Sequence, residues 1–221
     1  MSYKKPVLII PNLTAPELFE SNYKPPFKNG YYTIGYVGTP TKKDGIEDLL
    51  SGFSIFNNKY PDSHLLIIGD ITSGKSIISN LKTFARELGI LKNITFTGLV
   101  PYKKIPGLLN SCNALVLARP KGIFAEAGFP TKLGEYFACK KPVVITKVGD
   151  IPKYFEDKKH AVLVNPNDPN DVSKGFEFLI NNESKSKKIA LNGYEWMMEN
   201  LYYKKIAFKI SDFIRSVYET K

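Results

Sequence analysis

Gly128-Phe129-Pro130-Thr131-Lys132-Leu133-Gly134-Glu135-Tyr136, followed shortly by Pro142-Val143-Val144-Ile145, reads as a turn, a helix and a strand in close succession. Pro130-Thr131 turns the chain into a helix expected over Lys132 to Ala138, and the β-branched run after it is a buried strand. Lys132 falls in the first turn of that helix, where a cation is electrostatically unfavourable unless an anion lies beside it. Free N–H groups at the same helix start would attract phosphate. Glu135, one turn in, can accept two hydrogen bonds from a diol such as a ribose. Thr131 can cap the helix through its hydroxyl or donate that hydroxyl to phosphate. Gly128 and Phe129 can present backbone N–H groups, glycine allowing close approach. The stretch offers a holder for both halves of a nucleotide.

Outward from it, short apolar runs alternate with helical patterns. Tyr32 to Val37 is a strand ending at Gly38, and Ile46, Leu49, Leu50, Phe53 and Phe56 recur at helical spacing behind it. Leu65 to Ile68, Ile94 to Thr97, Ala114 to Ala118, Val143 to Ile145 and Ala161 to Val164 are the remaining strands. Helices are expected over Lys75 to Leu88, Ile105 to Leu109 and Lys132 to Ala138, with two or three more from Asp171 to Glu219. Buried strands alternating with helices imply an α/β fold, a Rossmann-like parallel sheet with helices on both faces. Residues 1–30 hold several prolines and no sustained period, so they read as a linker or edge segment ahead of a domain over 31–221.

Ligands of such a sheet bind beyond the carboxyl ends of its strands. Gly38, Gly69-Asp70, Gly98, Arg119 to Pro130 and Val148-Gly149-Asp150 all fall there. Gly38-Thr39-Pro40-Thr41-Lys42-Lys43-Asp44-Gly45 brings a glycine and two lysines to one strand end, where Lys42 or Lys43 could meet a diphosphate from the side opposite Lys132. The loop carries neither G-x-G-x-x-G nor a Walker A pattern. Arg119 could neutralise phosphate or donate to a sugar, or it could be a surface residue.

Composition narrows the function. Thirty-one basic against 21 acidic residues give a net charge of +10. The lysines are spread out, suiting a solvated basic surface, an anionic small molecule or contact with anionic lipid. No nucleic-acid-binding module is recognisable. Cys112 and Cys139 sit in apolar helical contexts and read as buried thiols, and His64 and His160 are too few for a histidine metal site. No Asp-x-Asp motif occurs. The opening apolar run is short and broken by Pro11, so the chain reads as cytoplasmic, with the inner membrane face as a possible peripheral contact.

The segment "GFPTKLGEYFACKKPVV", with "YVGTPTKKDGIEDLLSGF", "HLLIIGD", "ITFTGLVPYKKIPGLLNSCNALVLARP" and "VGDIPKYFEDKKHAVLVNPND" in that order, resembles the donor-binding half of the retaining glycosyltransferases of GT-B fold, the family-four group. The resemblance covers roughly residues 31–215. It implies binding of a nucleoside-diphosphate sugar as substrate, without metal or other cofactor, and front-face transfer to a glycan or lipid-linked saccharide. The nucleobase would lie against Leu99-Val100-Pro101. By this resemblance the donor would be held by Gly38, Thr39, Lys42, Lys43, Val100, Arg119, Gly128, Phe129, Thr131, Lys132, Leu133 and Glu135, with Glu126 and Lys132 at the reacting centre. Two departures stand out. Thr39 and Asp44 replace an arginine and a lysine common in the family's first loop. The family's two glutamates are separated by seven residues, a register that lands on Ala127, and Glu126 lies one residue further out. Family members also carry an N-terminal acceptor domain, expected here to be missing or supplied by a partner, so little transfer is expected from this chain alone. A non-catalytic nucleotide-sugar sensor or partner subunit is the alternative; a sugar-nucleotide epimerase lacks identifiable acid–base carboxylates.

Overall fold

The computed structural model describes residues 6–20, 30–72 and 74–219. Of the expected linker over 1–30, residues 1–5 and 21–29 lie outside the described residues. Six parallel strands form one sheet: β1 (Tyr32–Val37), β2 (Ser63–Ile68), β3 (Ile94–Phe96), β4 (Ala114–Leu117), β5 (Val143–Thr146) and β6 (Val162–Val164), in the order β3-β2-β1-β4-β5-β6. The helices are α1 (Ile46–Lys59), α2 (Ile78–Glu87), α3 (Ile105–Asn110), α4 (Ile123–Glu126), α5 (Lys132–Ala138), α6 (Ile151–Tyr154), α7 (Pro169–Asn181), α8 (Glu183–Asn200) and α9 (Tyr203–Glu219). The doubly wound α/β reading holds. The short helices α4 and α6 were not expected, because four residues carry no legible period.

Side chains alternate across each strand and both faces are covered, so nearly every strand residue is apolar. Ile34, Leu65, Val116 and Val144 meet Leu49, Leu50, Phe53 and Phe56 of α1 and Phe176 of α7 on one face. Leu66, Leu115, Val143 and Ile145 meet Leu108 of α3 and Leu133, Tyr136 and Phe137 of α5 on the other. Asp168 accepts the Asp171 N–H at 3.1 Å and Pro169 follows it, a cap that fixes the start of α7. Cys112 and Cys139 are free and buried, and burial pushes both thiols up to about 12.

Sequence order reverses between β1 and β4, which pair only at Ile34–Ala114 and Gly35–Leu115. Beyond that the two strands part and open a crevice at their carboxyl ends, the switch point of the sheet. Parting leaves the Val37 N–H without a strand partner on the β4 side. The Tyr136 hydroxyl of α5 accepts it at 3.0 Å, fully buried. The described part of the N-terminal segment lies against the same layer. Thr14 N–H donates to Leu201 O at 2.8 Å, Tyr203 N–H donates to Thr14 O at 3.1 Å, and Phe19 is buried beside α3 and α5.

Tyr136→Phe keeps the ring and removes the one acceptor of a buried N–H. It should cost about 1–3 kcal/mol in a denaturant titration, since an orphaned buried donor bears its full desolvation penalty.

Candidate functional site: a crevice at the sheet switch point

α5 crosses the open crevice, and its register decides what points there. Lys132, Glu135 and Tyr136 stand three and four residues apart and so share one face. Tyr136 ties that face to the end of β1, which puts Lys132 beside the loop after β1. Lys132 Nζ lies 2.8 Å from Asp44 Oδ2 and 5.1 Å from the centre of the Tyr36 ring. The two side chains of the pair are only 23% and 12% exposed, so the charges are shielded from bulk water. The Tyr36 hydroxyl stands 3.0 Å from both Asp44 Oδ2 and the Thr39 carbonyl, and 3.5 Å from Lys132 Nζ. Burial, then the Asp44 charge, pushes the Tyr36 phenol far above its usual range, so it remains a proton donor.

Glycine is required at two points here. Gly45 has φ +72°, and a Cβ on it would collide with the Ala118 carbonyl at the end of β4. Gly38 has φ +144°, and a Cβ on it would collide with Lys132 Nζ. Gly38 lets the loop after β1 close against α5, and Gly45 lets it close against the end of β4.

Glu135 is half-buried and its carboxylate takes no hydrogen-bond partner among the described residues. Burial raises its pKa above the usual carboxylate range, and Lys132 partly opposes the rise. Its charge also reaches Tyr102, whose phenol is raised first by burial and then by Glu135. Glu135 is therefore within electrostatic reach of both Lys132 and Tyr102, and Tyr102 (54% exposed) follows the loop that carries Leu99 (61% exposed) and Val100.

The other expected residues are placed as follows. Lys42 and Lys43 are exposed on a 3-10 turn over Lys42–Asp44, and Lys42 lies 3.5 Å from Glu47. Leu133 is buried under α5. Thr131 makes no side-chain cap, so its hydroxyl is left free of the helix. Arg119 acts within the protein. Its Nη1 donates to Gly128 O at 3.1 Å and its Nη2 to Phe124 O at 2.7 Å, clamping the loop between β4 and α5, while its buried Nε has no partner among the described residues. Phe129 O accepts from Asn12 Nδ2 at 3.1 Å, and the Phe129 ring stacks on Trp196. With both carbonyls so engaged, the Gly128 and Phe129 N–H groups take no partner among the described residues. Glu126 is exposed at the end of α4, whose Ala125 carbonyl packs on Gly149. Among the described residues no group of three or more His, Cys, Asp or Glu side chains could hold a metal ion, and no described helix is long and apolar enough to cross a membrane. Asp44, Tyr36 and Tyr136 were missed as site residues. A tyrosine at a core strand or helix position was the available signal, because its buried hydroxyl must find a partner.

The sequence model of the glycosyl transferases group 1 family matches residues 19–196. The chain belongs to that family. It is 28% identical over 171 residues to an uncharacterised glycosyltransferase of Methanocaldococcus jannaschii, covering 77% of this chain and 44% of that one. It spans less than half the length of the curated relatives it matches. The fold is that of HepE from Anabaena solved with UDP-glucose (TM-score 0.74, 20% identity, 84% of this chain and 49% of that one). It is also that of the C-terminal domain of a glycosyl transferase group 1 protein from Francisella tularensis (TM-score 0.67, 24% identity, 88% and 96%). This group 1 chain is accordingly a GT-B C-terminal, Rossmann-like domain.

The raised Glu135 pKa gives a signed prediction. Only the carboxylate accepts two diol hydrogen bonds, so any diol ligand held at Glu135 would bind more weakly as pH falls through that raised value, sooner than an ordinary glutamate would allow. Calorimetric titrations of a nucleotide across the acid range should show this limb in the wild type and lack it in Glu135→Gln.

Proposed function

We propose that this domain binds a nucleoside-diphosphate sugar in the crevice between β1 and β4. With an acceptor-binding domain it would transfer the glycosyl group, with retention, to a glycan or lipid-linked saccharide. The observation that carries the reading is the half-buried Glu135 carboxylate, without a hydrogen-bond partner among the described residues, one turn from Lys132 at the sheet's switch point. A carboxylate kept desolvated without a partner is costly unless a ligand supplies donors, and a ribose diol supplies two. Lys132, with Lys42 or Lys43, neutralises the charge that develops on the departing diphosphate. The N–H groups of Gly128 and Phe129, without a partner among the described residues, suit the donor sugar's hydroxyls, and Glu126 would have to turn inward from the end of α4 to reach it. No divalent ion is needed for this charge balance, so affinity should be the same in magnesium and in chelator.

The acceptor-binding half has an apolar surface on which to sit. Val7, Ile9 and Leu13 of the N-terminal segment and Phe208, Ile214 and Tyr218 of α9 are all at least half exposed. Between these elements lies a cavity of about 500 Å³, lined by Leu8, Phe129, Trp196 and Ile206 among others.

Thermal shifts with UDP, GDP, ADP and their sugars test the donor site. One nucleotide at ~100 times its dissociation constant should add ~2.7 kcal/mol of stability to the wild type and much less to Glu135→Ala. The absence of any shift across the panel would remove the proposal. The isolated domain should show donor binding with little or no glycosyl transfer; vigorous transfer to acceptors unaided would show that no second half is required.

A further inference from the structure

Asp44 is an acidic residue inside a site that the proposed function assigns to an anion. Its carboxylate holds Lys132 at 2.8 Å, and both side chains are largely shielded from water. A diphosphate drawn to Lys132 would meet that carboxylate at the same place. The turn itself does not require an acid there: the Gly45 turn is set by its own φ and by the close Ala118 carbonyl, and α1 starts at Ile46 without a side-chain cap.

We infer that Asp44 is a resident competitor of the donor's diphosphate for Lys132, a specificity-determining carboxylate that only a ligand with sufficient phosphate charge displaces. The inference rests on the donor-site reading above. Tyr36 makes the exchange feasible. Its single hydroxyl proton is shared between two acceptors at 3.0 Å, the Thr39 carbonyl and Asp44. When phosphate takes Lys132, the hydroxyl can turn wholly to Asp44, so the carboxylate keeps one donor and is not left buried without a partner. Among the described residues, the cations on Asp44's own turn are Lys42 and Lys43, both exposed; Lys42 is already near Glu47. After transfer the carboxylate reclaims Lys132 and lowers the affinity for the nucleoside-diphosphate product. Discrimination follows from charge: a monophosphate offers Lys132 less in exchange for Asp44 than a diphosphate does, and a nucleoside offers nothing.

Calorimetric titration of UDP, GDP and ADP in chelator, with the matching monophosphates and nucleosides, into wild type, Asp44→Asn and Tyr36→Phe tests this. For whichever diphosphate the wild type binds, Asp44→Asn should bind about tenfold tighter, since a unit charge a few ångströms from the phosphate is removed from a partly buried site. The gain should shrink for the monophosphate and vanish for the nucleoside. Tyr36→Phe should weaken diphosphate binding, because Asp44 then has no substitute partner for Lys132. Equal or weaker diphosphate binding by Asp44→Asn overturns the inference and makes Asp44 a mere holder of Lys132. Should Asp44→Asn lose its circular dichroism signature, Tyr36→Phe decides, and unchanged or tighter binding there overturns the inference equally. If neither wild type nor Asp44→Asn binds any of the three diphosphates, the donor-site reading itself fails and this inference with it.

Discussion

The Val37 N–H is the point on which the site turns. A parallel sheet whose strand order reverses must let two neighbours diverge, and here β1 and β4 separate after Gly35 and Leu115. Divergence exposes a backbone donor inside an apolar layer, where it must be paired. Pairing it with Tyr136 fixes both the position and the rotation of α5. Lys132 and Glu135 then need no further instruction, because helical geometry places them on the face that Tyr136 has already aimed.

That placement gives the crevice two charges in opposite conditions. Lys132 is held by Asp44 with Tyr36 at hand, so the cation is oriented before any ligand arrives. Glu135 has no such partner among the described residues, and burial raises its pKa while the nearby lysine only partly offsets the rise. One group is preorganised and restrained, the other is open. A ligand carrying both phosphate and a diol would satisfy the second while contending for the first.

The strands and long helices were legible because their periods are strong, and the α5 boundaries coincide with those read from Pro130-Thr131 and Ala138. What escaped lies in long-range geometry. Arg119 reads as a free cation at a strand end, yet its guanidinium is spent on the Phe124 and Gly128 carbonyls, since the loop it follows folds back over it. Asp44 was visible as a departure from the family's lysine, but its meaning depended on a residue 88 positions later. Thr131 could be read as a cap or as a phosphate donor; its αR backbone and lack of a side-chain cap bond remove the first reading and leave the helix start to the proline turn. Pattern shows which elements exist; it does not show which backbone groups they leave for a distant side chain.

The segment ahead of the sheet is more than a tether. Thr14 lies so close to α5 that a Cβ on Gly134 would collide with its hydroxyl, and it bridges by backbone to Leu201 and Tyr203 at the junction of α8 and α9. Two residues earlier, Asn12 holds the Phe129 carbonyl. One short stretch therefore touches α5, the loop that precedes it and the junction of α8 and α9. Packed interiors transmit displacement rather than absorb it, because they contain few voids to take it up. A second half seated against residues 7–13 and α9 would consequently bear on Gly134 and Phe129 directly, which couples the proposed acceptor side of the molecule to the residues that would hold the donor.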